Sequence, residues 1–160
     1  MSRITPFLWF NDNAEEAVNF YVSIFPNSKI VSLSRYGEAG PDPSGSVMTA
    51  AFQLDGQDFI ALNGGPEYSF TEAISLYVDC RDQQEVDDLW AKLTSDGGQE
   101  SQCGWLKDRY GLSWQIIPRA LSELLADKDP ARAQRAMQAM LRMRKIDVLA
   151  LQAAADGVAP

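Results

Sequence analysis

The chain of 160 residues contains no histidine. This absence excludes the Ser-His-Asp triad, Cys-His nucleophile pairs, HExxH zinc sites and the iron sites built from two histidines and a carboxylate. A general acid or base in this protein would therefore have to be a Tyr, Asp, Glu or Cys side chain with a shifted pKa. The candidates nearest the inferred binding cup described below are Tyr77, Tyr36 and Cys103.

Cysteines and long apolar segments are also scarce. Cys80 and Cys103 are too few for a disulfide scaffold and lack CxxC spacing, so we expect two free and largely buried thiols. No segment approaches the ~20 apolar residues of a membrane helix. The N-terminal residues MSRITPFLWFNDN show no signal-peptide pattern. We therefore expect a cytoplasmic protein that does not bind membranes.

Acidic residues outnumber basic ones by 22 to 14, which gives a formal net charge of −8. That balance argues against nucleic acid as a partner, because phosphate backbones attract basic surfaces. A hydrophobic content of 46% is ordinary for a soluble globular protein.

Changes in hydrophobic period predict that strands and helices alternate in the first half of the chain. A strand at 4–10 precedes a helix that begins at Asn13, where Glu16 would complete a capping box. Three further strands are expected at 29–36, 47–54 and 58–63. Asp55-Gly56 joins the last two, and this dipeptide is a strong hairpin signal.

The same pattern then recurs. A strand at 73–79 precedes a helix with the capping pair Asp82 and Glu85, and strands are expected around 102–106 and 113–118. The two caps, Asn13 and Asp82, lie 69 residues apart (82 − 13), and apolar helix positions keep that offset. The sequence therefore predicts an α+β fold with two βαβββ modules, at 1–66 and 67–119.

Residues 120–160 differ in composition and predict a C-terminal helical extension. Helices are expected at 121–126, 131–143 and 146–155, where Ala, Leu, Met and Arg are frequent. Residues 128–147 carry six basic side chains against two acids. We expect these basic residues, the basic stripe, to dock on the acidic remainder of the chain or on the second subunit of a dimer.

Four segments resemble one known family: ITPFLWFNDNAEEAVNFYVSIFPNS, LDGQDFIALNGGP, CRDQQEVDDLWAKL and CGWLKDRYGLSWQIIP. They are similar to the PhnB-like branch of the vicinal oxygen chelate superfamily, whose members are often labelled 3-demethylubiquinone-9 3-methyltransferase-like. The superfamily also contains glyoxalase I, bleomycin-resistance proteins and extradiol dioxygenases. The resemblance implies that the two modules form a pair of curved half-barrel sheets around a cupped pocket.

Strand alternation indicates which side chains would line such a cup. We expect Leu8 and Phe10, and likewise Ile60 and Leu62, to face the helices. The opposite sides of the strands then supply the candidate ligand-binding residues, which are Thr5, Phe7, Trp9, Asn63, Ser75, Tyr77 and Gln115. This lining is neutral and partly aromatic, which suits an uncharged or aromatic small molecule.

The resemblance also locates the four positions where superfamily enzymes hold a metal. They fall nearest Thr5, at Ala61 or Asn63, nearest Ala73, and at Gln115. One neutral amide cannot replace three or four strong ligands, so we expect no metal. No cofactor is expected either, because Gly64-Gly65-Pro66 lacks the phosphate-loop spacings and reads as a linker.

The sequence therefore favours a PhnB-like protein, active as a homodimer, that binds a small neutral or aromatic molecule without a metal. One alternative is an enzyme on the same scaffold, of the isomerase, lyase or quinone-related transferase type. Another is a structural or regulatory dimerisation module that uses the basic tail.

Overall fold

A computed structural model describes residues 3–158 of the chain. The chain divides into two compact units: the first ends at Phe70 and the second begins at Thr71. The C-terminal helices belong to the second unit.

The first unit has one helix and four strands. They are β1 (Phe7–Phe10), α1 (Ala14–Ile24), β2 (Lys29–Arg35), β3 (Val47–Leu54) and β4 (Gln57–Asn63). The strands form an open sheet in the order β1-β4-β3-β2. The β1 strand runs parallel to β4, and the other neighbours are antiparallel.

The second unit repeats this topology. Its elements are β5 (Ser75–Cys80), α2 (Gln83–Leu93), β6 (Gln99–Glu100), β7 (Trp105–Lys107) and β8 (Ser113–Pro118). The sheet order is β5-β8-β7-β6, again with the first strand parallel to the last. The predicted α+β fold with two βαβββ modules is thereby confirmed.

Turn geometry explains one success and one error of the strand predictions. Asp55 and Gly56 both have positive φ, 48° and 79°, as the predicted tight hairpin requires. The strand predicted at 102–106 is instead interrupted, because Cys103 and Gly104 also have positive φ. Two successive left-handed residues cannot continue an extended chain, so β6 ends before them and β7 starts after them.

The two helix caps differ as well. The Asp82 side chain accepts a hydrogen bond from Glu85 N at 3.0 Å, as predicted for α2. Asn13 is the residue before α1, as predicted, but the predicted side-chain cap is wrong, because the Asn13 side chain makes no capping hydrogen bond. The N–H of Ala14 donates to Asn63 Oδ1 instead.

Each module buries one face of its sheet under its own helix. In the first unit, α1 contributes four buried side chains to this core: Ala14, Ala17, Val18 and Tyr21. In the second unit, Trp90 and Leu93 of α2 are buried, as are Trp114 and Ile116 of β8. Apolar burial of this kind is the main favourable term in folding.

A buried carboxylate fixes the loop before β8. Asp108 is 3% exposed, and its side chain accepts hydrogen bonds from Tyr110 N, Leu112 N and Trp114 Nε1. A buried carboxylate is tolerated when it is satisfied in this way. The DRYGLSWQ segment is therefore a self-contained loop that sets the start of β8.

Three helices follow β8: α3 (Arg119–Leu125), α4 (Pro130–Met140) and α5 (Val148–Ala155). The α4 and α5 helices begin at side-chain caps, Asp129 and Asp147. No helix among residues 3–158 is long and apolar enough to cross a membrane.

The segment between α4 and α5 binds to the body of the second unit. Backbone N–H groups of Cys103 and Gly104 donate to the carbonyls of Met143 and Arg144, both at 2.8 Å. Lys145 pairs with Asp87 at 2.8 Å, and Arg144 pairs with Glu100 at 3.6 Å. Two of the six basic side chains of the stripe thus pair with acidic residues of α2 and β6 in the same chain, which is one of the two predicted ways of docking.

Candidate functional site

Strand pairing defines the two faces of the first sheet. In the parallel β1–β4 pair, Leu8 and Phe10 lie beside Ala61 and Asn63, and all four are buried. We call the opposite side, which α1 does not cover, the distal face of the first sheet. Its residues on these and the neighbouring strands are Phe7, Trp9, Asp58, Ile60, Leu62, Thr49, Ala51, Gln53, Lys29, Ser32 and Ser34.

The orientation predicted for β4 is therefore reversed. Ile60 and Leu62 were expected to face the helix, and they lie on the distal face instead. Asn63, which was expected in the cup, faces α1, and so does Ala61. Neighbouring residues of parallel strands share a face, so the register with β1 decides the matter.

The amide oxygen and the amide nitrogen of Asn63 are both hydrogen-bonded inside the fold. Its Oδ1 accepts from Ala14 N at 2.8 Å, and its Nδ2 donates to the Val47 carbonyl at 3.0 Å. Its own carbonyl accepts a hydrogen bond from the Tyr36 hydroxyl at 2.6 Å. Asn63 is thus a helix cap and strand tie that faces α1 and not the predicted cup, and it also borders a cavity at the N-terminus of α1.

Trp9 is held in a fixed position on the distal face. Its Nε1 donates to the Gly65 carbonyl at 2.9 Å, and the Tyr68 ring meets it edge-on at 4.9 Å between centroids. A Cβ atom on Gly64 would lie 2.4 Å from the indole, so only glycine fits there. Gly64 and Gly65 therefore shape the wall around Trp9.

Phe7 lies two residues from Trp9 on the same face and is 55% exposed. The middle of this face is uncharged, and Ser34 Oγ and Thr49 Oγ1 form a hydrogen bond of 2.5 Å there. Two charged residues, Lys29 and Asp58, lie at its end near the β3–β4 turn, where Asp58 accepts a hydrogen bond from Gln53 Nε2 at 2.8 Å. Thr5 is partly buried and precedes β1.

The second sheet also has a distal face, opposite α2. Its strand register forms a row of Tyr77, Gln115 and Trp105 across three adjacent strands. The neighbouring row contains Ser75, Ser113 and Lys107. Gln115 Nε2 donates to Ser75 Oγ at 3.0 Å, which confirms that these two predicted residues share a face.

The tail covers one end of this second distal face. Ile117 of β8 is buried in a cluster with Leu121, Ile146 and Leu151. The hydroxyls of Tyr77 and Ser122 are 3.3 Å apart. Sequence reasoning missed this cover, although the apolar residues of the tail helices were visible in the sequence.

Two of the three candidate acids and bases, Tyr36 and Cys103, make hydrogen bonds that hold the fold together. The Tyr36 hydroxyl is bonded to a carbonyl in the interior. The N–H of Cys103 is bonded to the tail. Burial raises the pKa of the Cys80 thiol to about 12, so this thiol stays protonated at neutral pH. Tyr77 is the remaining candidate with an exposed ring.

The residues at the superfamily's metal positions do not fit a metal ion. The Asn63 amide faces α1, and the Gln115 amide donates to Ser75. Among residues 3–158, no group of three or more Cys, Asp and Glu side chains is arranged to hold a metal.

One cavity of about 450 Å³ lies at the N-terminus of α1. Its lining includes Asp12, Glu15, Glu16 and Arg35, so it is strongly polar, unlike the distal faces. Arg35 donates to the Gly45 carbonyl at 3.0 Å. This cavity therefore offers a different chemistry from the neutral lining predicted from the sequence.

Comparison with known proteins identifies relatives of both modules. A family model described as 3-demethylubiquinone-9 3-methyltransferase matches residues 2–117. The PhnB protein of Bacillus cereus, a proposed 3-demethylubiquinone-9 3-methyltransferase, is 42% identical with a TM-score of 0.68. The match covers 73% of this chain and 99% of that chain.

A protein of Pseudomonas aeruginosa shares the fold at 20% identity, with a TM-score of 0.61 and coverage of 74% and 98% of the two chains. A glyoxalase/bleomycin resistance protein of Albidiferax ferrireducens T118 is 14% identical, with a TM-score of 0.48 and coverage of 74% and 99%. A comparison with curated proteins found no match. The chain belongs to the PhnB-like 3-demethylubiquinone-9 3-methyltransferase family.

Proposed function

We propose that this protein binds a small uncharged aromatic molecule on a distal sheet face, without a metal ion. The observation that carries the proposal is the exposed Phe7 ring on the same sheet face as the fixed Trp9, among mainly uncharged side chains. An exposed aromatic ring next to a rigid one offers a stacking surface, and little side-chain entropy is lost when a ligand binds to it. The second sheet offers similar chemistry, with an amide between two aromatic rings.

Neutral lining argues for a neutral ligand. The middle of the distal face of the first sheet carries aromatic, aliphatic and hydroxyl side chains, and its charged residues, Lys29 and Asp58, lie at one end. Burying a ligand charge against such a surface would cost free energy without compensation. A flat aromatic compound avoids that cost.

The side chains at the superfamily's metal positions support the proposal that the ligand binds without a metal ion. Neutral amides and hydroxyls stand where the superfamily's enzymes place strong ligands, and Asn63 is already bonded to α1. Elemental analysis of the purified protein should find less than 0.1 divalent metal ion per chain, a rough threshold well below stoichiometric binding. One equivalent per chain would contradict this part.

Methyl transfer is not part of the proposal, although the family carries that label. Binding of S-adenosylmethionine usually relies on a Gly-rich loop after a parallel strand, as dinucleotide binding does. Here the Gly64 N–H donates to Phe10 and the Gly65 carbonyl accepts from Trp9. These glycines therefore serve the packing of Trp9.

The test uses naphthalene and 2-naphthol as neutral aromatic probes in equilibrium dialysis. We expect both to bind the wild-type chain, and Phe7→Ala to weaken binding at least about threefold because stacking area is lost. Val31→Ala is the matched control, because Val31 is equally exposed (56%) at the opposite edge strand of the same sheet. Failure of both probes to bind would contradict the proposal.

A further inference from the structure

Ser113 is a buried hydroxyl without a partner. The residue is 1% exposed at the start of β8, and among the described residues its Oγ has no hydrogen-bond partner. Buried side-chain polar atoms are nearly always bonded, so an orphan of this kind calls for an explanation. A ligand atom would supply one.

The neighbours of Ser113 are already engaged. Ser75, its partner residue on β5, accepts a hydrogen bond from Gln115 Nε2 at 3.0 Å. Lys107, its partner residue on β7, forms an ion pair with Glu72. The hydroxyl of Ser113 therefore lies between two satisfied groups on the same sheet face.

The Lys107–Glu72 ion pair connects β7 with the segment before β5, and β8, which carries Ser113, lies between these two strands. The β8 strand is between β7 and β5, Lys107 belongs to β7, and Glu72 precedes β5. Lys107 is the partner residue of Ser113 on β7, and Glu72 precedes Ser75, its partner residue on β5, so the ion pair spans the start of β8 where Ser113 lies. The two side chains are 37% and 59% exposed, and exposed ion pairs contribute little to stability, so this one can open readily.

We propose that Ser113 binds an oxygen atom of the aromatic ligand and that the Lys107–Glu72 pair is its removable cover. The inference rests on the proposed function and narrows the ligand class to aromatic compounds with a hydroxyl or carbonyl oxygen. A serine hydroxyl can donate to a carbonyl or exchange hydrogen bonds with a phenol. The ring would then lie toward Tyr77 and Gln115 in the adjacent row of the face.

The first experiment compares 2-naphthol with naphthalene, which lacks the oxygen. For Ser113→Ala we expect the affinity for 2-naphthol to fall roughly 3- to 10-fold, the range for one hydrogen bond, while naphthalene binding is unchanged. The melting temperature of the free variant should stay equal or rise, because an unsatisfied buried hydroxyl is removed. A lower melting temperature, or equal losses for both probes, would overturn the inference.

The second experiment removes the cover. Glu72→Ala should bind 2-naphthol more tightly than the wild-type chain, by about two- to fivefold, the range for loss of one exposed ion pair. Asp79→Ala is the control, because it removes the exposed Arg119–Asp79 pair near the other end of β5. An unchanged or weaker affinity of Glu72→Ala for 2-naphthol would contradict the proposal that the ion pair covers Ser113.

The outcomes separate the two proposals. If both probes bind the wild-type chain equally and Ser113→Ala changes neither, the oxygen site is wrong while aromatic binding stands. If neither probe binds, the proposed function fails, and the oxygen site fails with it.

Discussion

The amide of Asn63, the last residue of β4, caps α1 by accepting a hydrogen bond from Ala14 N at 2.8 Å. The same side chain donates to the Val47 carbonyl, and the Asn63 carbonyl accepts from Tyr36. One buried residue thus ties together the start of the helix and three strand ends. Side-chain caps of this kind normally come from the residue before the helix, whereas this one comes from a distant strand.

Asn63→Ala should lower the free energy of unfolding by about 1–3 kcal/mol, because it leaves a buried N–H and a buried carbonyl unsatisfied. Urea denaturation measures the change. The control is Asn19→Ala on the exposed side of α1, where the amide bonds only to Glu15 O, and the expected loss is below about 0.5 kcal/mol. Equal losses in the two variants would contradict the role of Asn63.

The contact between Trp9 and Gly64 predicts a coupled pair of substitutions. Gly64→Ala should cost about 1–3 kcal/mol, because its Cβ would overlap the indole at 2.4 Å. In a Trp9→Phe background the cost should shrink, since the overlapped benzo-ring atoms are gone. A double-mutant cycle by urea denaturation measures the difference, and additive effects would show that the clash is absent.

Gln83 anchors the tail to α2. Its Nε2 donates to the Ile146 carbonyl at 2.9 Å, and its Oε1 accepts from Val148 N at 2.7 Å. We expect Gln83→Ala to accelerate amide hydrogen exchange in α5 by roughly tenfold, since loss of two hydrogen bonds favours local opening.

Gln84 provides the matched control for that experiment. It is adjacent in sequence and bonds only to Asp88 on the exposed side of α2. Gln84→Ala should leave exchange in α5 at the wild-type rate. Similar rates in the two variants would show that Gln83 does not anchor the tail.

The two cysteines should differ in reactivity. Because the pKa of Cys80 is raised to about 12, its thiol should not react with an aromatic disulfide reagent at pH 8 in the folded protein. We expect at most one thiol per folded chain to react, and two after denaturation. Two rapidly reacting thiols in the folded state would contradict the buried position of Cys80.

The same shift makes stability depend on alkaline pH. In the unfolded chain Cys80 ionises near its ordinary pKa of 9, but in the folded protein it ionises only near 12. Its contribution is therefore complete below pH 9 and is lost as the pH rises from 9 to 12. The free energy of unfolding of Cys80→Ala should fall less steeply than that of the wild-type chain over this interval.

The sequence alone determined the modular plan, because that plan depends on local signals. Hydrophobic period, the Asp82 cap and the Asp55-Gly56 turn all act over a few residues, and each formed as predicted. The repeat of 69 residues also follows from these local patterns. The orientation of β5 and β8 was predicted correctly, since each has one clearly more apolar side. The orientation of β1 was also predicted correctly, although both of its sides are apolar.

Tertiary structure decided what those signals left open. Both sides of β4 carry apolar residues, Phe59 and Ala61 on one and Ile60 and Leu62 on the other, so alternation could not choose the buried side. The choice came from the parallel register with β1, which is a contact between residues more than fifty positions apart. The capping role of Asn63, the tail over Ile117 and the unsatisfied Ser113 depend in the same way on long-range packing, which no local pattern of residues encodes.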